Sequence, residues 1–407
     1  MKVWIKFLLG TILGILAAVI LPAGSETLKD AVTFLMTLCV RFGRYIVIPI
    51  VFTTTIVAVN KLRQIKQLWR TVKWTFAVII VSTFLLTLIG LLSISIVKLP
   101  RIPITVEVAA DVFKLDVKGL LLSLFPESGF SALAEGSFLL VSFILAFIIG
   151  WESASEETMF KPVFVLVDSL SKLFYNVAGF FTEIFSVCMI AITCWWFISF
   201  RTILASGIYN PLIIMLLVEF VIVVGIVYPV IVHFLCHDPH PYRVLYASTA
   251  SIILGFFSGD ENFVLPVSYR HAHESLGIRR RSHGFTFPLF NIFARGGSSL
   301  VACICFILIW RSYSSIEFKY VFWIFFASFG FSFLLGGLPS GGAFVLLTIL
   351  CQTYAKGYET NFLLLKPAML IICSFATVLD VVTAITGSYI VAVKTKLVEH
   401  HSIQHFI

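Results

Sequence analysis

The sequence predicts an all-α polytopic membrane protein of eight transmembrane helices plus two re-entrant helical hairpins. Three observations carry that expectation. Of 407 residues, 59% are apolar and only 12% charged, about half the charged share of an ordinary soluble domain; mean hydropathy is +1.02. Apolar runs long enough to cross a bilayer, about 20 residues each, recur along the whole chain. The 29 Lys and Arg against 21 Asp and Glu leave a net charge of +8, and the basic residues gather in short links between the runs, where cytoplasmic loops carry them. The positive balance is therefore a topology signal, and no nucleic-acid partner is expected.

Taken in order, full spans are expected near 4–22, 31–60, 74–98, 136–151, 159–200, 207–236, 284–310 and 363–393. The first, with Lys2 and Lys6 ahead of Phe7–Ile20, has the charge pattern of a signal peptide. It lacks a small-x-small cleavage site and reads as a spanning helix. Several runs exceed the bilayer thickness, so they must tilt, bend or project beyond it.

Two segments do not read as plain spans. In 244–277 a short apolar piece, Ser251–Phe257, is followed by the polar tip Ser258-Gly259-Asp260-Glu261-Asn262 and a second short piece, Phe263–Val267. In 319–355 the tip is Gly336-Gly337-Leu338-Pro339-Ser340-Gly341-Gly342. A Gly/Pro break at membrane depth survives only where protein or a watery cavity satisfies the freed backbone. A pair of such segments is the sequence pointer to a solute site near the bilayer midplane. Unwound backbone is expected at Gly296-Gly297 and Gly336-Gly337.

If both broken segments return to the side they entered from, a cytoplasmic N-terminus places three basic groups together inside. These are Lys61, Arg63, Lys66, Arg70 and Lys73; Arg279, Arg280 and Arg281; and Lys394 and Lys396. That agreement favours eight spans plus two hairpins over ten plain spans, with both termini cytoplasmic and the link 99–117 outside. The eight cysteines lack zinc-finger spacing and read as small apolar packing residues. His233, Cys236, His237 and His240 cluster, but read as a solvated helix end rather than a metal site. Trp195 and Trp196 read as an interface belt.

Several motifs in order then resemble the dicarboxylate/amino acid:cation symporter family, the glutamate-transporter fold. Ile48-Pro49-Ile50-Val51-Phe52 is similar to the family's second-span motif. Leu124-Phe125-Pro126-Glu127-Ser128 and Ala132-Leu133-Ala134-Glu135-Gly136 are similar to the start of its fourth helix. Leu265-Pro266-Val267 matches the far side of its first tip, Phe285-Thr286-Phe287-Pro288-Leu289 its seventh span, and Gly337-Leu338-Pro339-Ser340-Gly341-Gly342 its second tip. The resemblance implies a homotrimer. Residues 1–72 and 118–206 would hold scaffold helices, 73–117 the third helix and outer link, and 207–407 the transport core with both hairpins, 73–117 and 207–407 moving together across the membrane. It implies a solute held between the two tips and the middles of spans seven and eight, with sodium beside it.

The chain departs from the family where the chemistry sits. The family's Asn-Met-Asp-Gly-Thr motif aligns with Ala294-Arg295-Gly296-Gly297-Ser298, so a cation stands where the Met was and the side chains that bind sodium are gone at Ala294, Gly296 and, in span eight, Gly387. Ser388 is the nearest match to the later sodium-ligating Asp. Asp380 matches the Asp that receives an amino group, while Thr383 stands in place of the substrate-binding Arg. The candidate substrate-binding residues are Asp260, Glu261, Asn262, Arg295, Gly337, Pro339, Ser340, Gly341, Asp380 and Thr383.

Ionisable groups at membrane depth cost at least about 2.5 kcal/mol each at the bilayer centre, so they pair or face a cavity. Asp260, Glu261, Arg295 and Asp380 therefore read as an ion-pair network, as direct substrate contacts, or as a proton site. The expected function is a symporter in the cytoplasmic (inner) membrane moving a small carboxylate-bearing solute, an amino acid or dicarboxylate, with no cofactor and a sodium or proton as coupling cation. Arg295 is expected to replace sodium, bonding carbonyls or Asp380. The alternative is a degenerate, non-transporting or channel-like member of the same fold. An enzyme lacks a nucleophile–base pair or metal motif to support it.

Overall fold

A computed structural model describes residues 2–21, 26–103, 119, 122, 139–313, 318–354, 357–399 and 406. Every regular element among them is helical, and two isolated bridges are the extended pairings present. The motifs at 124–128 and 132–136, and most of the link 99–117, lie outside the described residues.

The helices are α1 (Val3–Ile20), α2 (Glu26–Arg44), α3 (Val47–Gln64), α4 (Leu68–Ile96), α5 (Leu139–Ser153) and α6 (Glu157–Ser206). There follow α7 (Asn210–Ile222), a π-helical turn Val223–Val227 and α8 (Tyr228–Cys236), then α9 (Tyr242–Ser258) and α10 (Glu261–Glu274). α11 (Arg280–Phe293) runs into α12 (Gly296–Tyr313); α13 (Phe318–Ser332) ends in a 3-10 turn, Phe333–Gly337, before α14 (Gly342–Tyr354). A 3-10 stretch, Asn361–Ala368, leads into α15 (Met369–Lys394).

Eight helical runs among the described residues are long and apolar enough to cross a membrane, so the chain is a multi-pass helical membrane protein. The expected count holds with one exchange. Tyr320–Gly337, the first arm of the second broken segment, qualifies, whereas Leu139–Ser153 is a shorter apolar helix. The residues before Leu139 lie outside those described. α6, at 50 residues, is roughly 75 Å long at about 1.5 Å per residue. It must lean or project beyond a hydrocarbon layer about 30 Å thick.

Each irregularity has a local cause. The span expected at 31–60 bends at Tyr45-Ile46, just ahead of Pro49, whose missing N–H is harmless only in the first turn of α3. Pro229 removes the donor that Gly225 would receive one turn back, and the Tyr242 hydroxyl donates to the Gly225 carbonyl instead, at 3.2 Å; the π turn sits beside this substitution. Gly10 and Gly14 on α1 let its backbone approach α6, where a Cβ on Gly14 would lie 2.6 Å from the Ile190 carbonyl. That is the small-xxx-small contact by which membrane helices pack without a hydrophobic driving force.

The central helices are the α11–α12 pair and α15. Of their most apolar windows 94% and 83% are buried, against 33% for α1, as expected of helices that are apolar all round. Buried apolar side chains form two clusters. One gathers Phe185, Phe263, Phe287, Phe290 and Ala294; the other gathers Leu300, Phe306, Leu335, Leu347 and Leu379. Their boundary crosses the chain between Ala294 and Leu300. Trp196 is no interface residue: it is 6% exposed, packs against Phe256 and Phe257, and donates to Ser374 Oγ at 2.9 Å. The cysteines are all free and five are buried.

At the other end of α10 the chain is closed by residues 397–399. Arg279 N donates to Leu397 O at 3.0 Å and Glu399 N to Gly277 O at 2.8 Å, with Ile278 bridged to Val398.

Candidate functional site

Three breaks meet between the two apolar clusters. The first is made by Gly259, which caps α9 in the left-handed conformation (φ +60°) and turns the chain back. Asp260 follows in extended conformation and caps α10, its Oδ1 accepting from Phe263 N at 3.0 Å. The second break is the extended stretch 338–341, ended by Gly341 at φ +75° before α14 begins. The two tips join through backbone: Glu261 N donates to Pro339 O at 2.9 Å, and Asp260 bridges Ser340.

The third break is at Ala294-Arg295, between α11 and α12. It is displaced from the expected position, because Gly296 and Gly297 form the first turn of α12. Their missing side chains serve close packing. A Cβ on Gly296 would lie 2.7 Å from Leu86 Cδ1, and one on Gly297 2.8 Å from the Ala376 carbonyl. Likewise Gly336 and Gly337 lie within a 3-10 turn, and the extended backbone starts one residue later.

Arg295 reaches from this break to both tips. Its guanidinium is ion-paired with Glu261 and donates to the Leu338 carbonyl at 3.0 Å. It is 2% exposed and Glu261 4%. Of the two partners expected for it, a carbonyl is present, but Asp380 is engaged elsewhere. The Asp380 carboxylate, projecting from the middle of α15, accepts from Gly297 N at 2.6 Å, Ser298 N at 3.2 Å and Ser298 Oγ at 2.7 Å. It thus caps the N-terminus of α12 from a neighbouring helix, where an anion is favoured by the free N–H groups and the helix dipole. Asn291 Nδ2 donates to Asn262 Oδ1 at 2.8 Å, tying the first tip to α11.

Thr383 does not join this group. Its hydroxyl bonds Leu379 O at 2.6 Å and the Tyr228 hydroxyl, and with Gly387 it lines an apolar cavity of about 200 Å³ between α4, α8 and α15. Ser340 and Gly341 instead border a larger cavity of about 590 Å³, which reaches Trp195, Ser199 and Thr202 on α6 and Lys366. At the positions that the resemblance associates with sodium, Ala294, Gly296 and Gly387 offer no side-chain oxygen, and Ser388 is turned to Thr286 Oγ at 2.6 Å.

One residue of the site was not singled out in the sequence. Arg44, in the last turn of α2, is ion-paired with Asp260; its Nε donates at 2.8 Å and the pair is completed by a terminal nitrogen. The signal was present: a charge inside the apolar run 31–60 meets the criterion that picked out Asp260. With Arg44 included, three carboxylates (Asp260, Glu261, Asp380) face two guanidiniums (Arg44, Arg295).

The buried charges of this multi-pass helical protein thus gather where two chain reversals meet a broken central helix. The chain belongs to the sodium:dicarboxylate symporter family, whose model matches residues 3–394. No curated protein matches it in sequence. The family is one of transporters, and among the described residues no group of three or more His, Cys, Asp or Glu could hold a metal. The chain is thus a member of a transporter family.

Proposed function

We propose that the chain is a secondary active transporter of the cytoplasmic membrane that moves a small carboxylate-bearing solute, an amino acid or dicarboxylate, by an elevator motion. In this reading α1, α2, α3, α5 and α6 are the scaffold of a homotrimer, and both termini are cytoplasmic. α4 and residues 207–407 form the moving body, with α9–α10 and α13–α14 as its re-entrant hairpins.

The observation that carries the reading is the position of Arg295, which holds Glu261 of one tip and the Leu338 carbonyl of the other. A solute carboxylate competes with Glu261 for the guanidinium, whose planar fork donates to two oxygens at once. The displaced Glu261 is then available to an amino group, while Asp380 stays with the donors at the head of α12. Arg295 stays protonated near neutral pH, so it stands in permanently for a cation at this place. Ala294, Gly296 and Gly387 lack donors for a sodium ion, which supports reduced or absent sodium coupling.

The test is uptake into proteoliposomes of a panel of acidic, neutral and basic amino acids and dicarboxylates, with and without sodium, for the parent and Arg295→Met. Uptake of a carboxylate solute that Arg295→Met abolishes is the expected result. Tight aspartate uptake that survives Arg295→Met would contradict the assignment. A non-transporting member of the same fold is the second reading, and the ties from Arg295 to both tips favour it, since they close the tips without any solute. Absence of uptake and of binding across the whole panel would establish that reading instead.

A further inference from the structure

Arg44 and Asp260 belong to different parts of the machine proposed above. Arg44 closes α2, which packs along α6, whereas Asp260 is the turn residue of the first tip and is 1% exposed. Taken with the two-body reading, on which this inference rests, the pair spans the sliding interface. Any displacement of the body carries Asp260 away from Arg44.

The other cations near Asp260 are Arg295, which lies within electrostatic reach but is held by Glu261, and Arg41, one turn back on α2 and exposed. Glu261 and Arg295 are bound to each other, and Asp380 is held by N–H groups of α12. α6 presents Phe185 to the tip, its ring 4.4 Å from that of Phe263; its carboxylate Glu183 is held by Lys6 and Arg270. On α3, Lys61 is paired with Asp168 and Arg63 donates to Trp151 and Ser155. Within its own body Asp260 keeps backbone N–H groups of the α10 start, Phe263 N at 3.0 Å and Asn262 N, but no cation paired to it. An isolated buried carboxylate is so costly that it takes up a proton.

We propose that Asp260 exchanges Arg44 for a proton each time the body leaves the position seen here, so that the elevator motion is coupled to proton movement. The proton comes from water beside the tip, adds to the Asp260 carboxylate, and is released when Arg44 pairs again; Arg44 keeps its charge throughout. Acid therefore favours the displaced state, because that state alone holds the extra proton.

Double electron–electron resonance tests this without knowledge of the solute. Spin labels go on cysteines at Phe34 of α2 and Ile214 of α7, both outward-facing, in a full-length chain whose eight native cysteines are replaced. Labelled protein, diluted in excess unlabelled protein, is placed in phosphatidylethanolamine/phosphatidylglycerol nanodiscs. Two distances are expected, their ratio shifting toward the displaced one by up to about tenfold per pH unit between about pH 8 and about pH 5. Asp260→Asn should hold the displaced distance at every pH, and Arg44→Gln should flatten the dependence. Two distances whose ratio ignores pH, or an Asp260→Asn protein as pH-sensitive as its parent, would overturn the coupling while leaving the elevator standing. A single distance in every variant and at every pH would overturn the elevator, and the coupling with it.

Discussion

Arg295 and Asp380 are both buried charges, yet they are satisfied in opposite ways. Asp380 has three hydrogen-bond donors from α12 and needs no ion pair. Arg295 depends on Glu261, and its Nε has no hydrogen-bond partner. Arg295→Met therefore strands a buried carboxylate, and a loss of about 3–5 kcal/mol of stability is expected. Thermal unfolding in detergent measures it, and the double change Arg295→Met with Glu261→Gln should recover most of the loss. Asp380→Leu should cost about 1–3 kcal/mol by leaving the α12 donors unmet, whereas Asp380→Asn keeps an acceptor and should cost less. Glu219 is the contrasting case: it is 3% exposed on α7 and its Oε2 finds no hydrogen-bond partner. Glu219→Gln should match or exceed the parent melting temperature, and a large drop would show that the charge is needed.

At the level of elements, much was legible because apolar length alone decides it. Every span placed by the length rule falls mainly on helix where its residues are described, with interruptions at Tyr45-Ile46 and Ala294-Arg295, and both polar tips fall on breaks. The tips could be read because Gly, Pro and charge interrupt an apolar run in one dimension. The break in the central pair was misplaced onto Gly296-Gly297 because a glycine has two uses, backbone freedom and close approach. Only the neighbours Leu86 and Ala376, distant in sequence, decide which applies. Trp196 was misread for the same reason, its partner Ser374 being 178 positions away. The α1–α6 contact gives a direct check. Gly14→Val places a side chain against the Ile190 carbonyl and should destabilise by about 1–3 kcal/mol. A melting curve equal to the parent's would mean that the two helices do not approach so closely in the membrane.

For the molecule as a whole, the arrangement of charge was only half visible. Asp260, Glu261, Arg295 and Asp380 stand out singly, but their pairing is a tertiary fact. Sequence reasoning gave Arg295 carbonyls or Asp380 as partners; the ties run to the Leu338 carbonyl and to Glu261. Thr383 was placed in the solute group by the resemblance, at the position of the family's Arg, and here it bonds Tyr228 and lines the α4–α8 groove. The lack of oxygen donors at Ala294, Gly296 and Gly387 has a kinetic consequence. Solute uptake should depend on sodium, if at all, with a Hill coefficient no greater than about one, since each coupled ion needs its own site. A coefficient near two or three would contradict this account.

The joint between Gly277–Arg279 and Leu397–Glu399 also sets the order of events at the ribosome. The first hairpin, α9–α10, is synthesised about 120 residues before the strand that closes its base. At about 5–20 residues per second, the delay is on the order of ten seconds. During that interval the base of the α9–α10 pair is open, with the carbonyl of Gly277 unpaired. The base of the α9–α10 pair is therefore closed only after α15 has been made. A nascent chain stopped after Thr395 should remain cleavable by protease at 275–281, whereas one extended beyond Glu399 should become protected there.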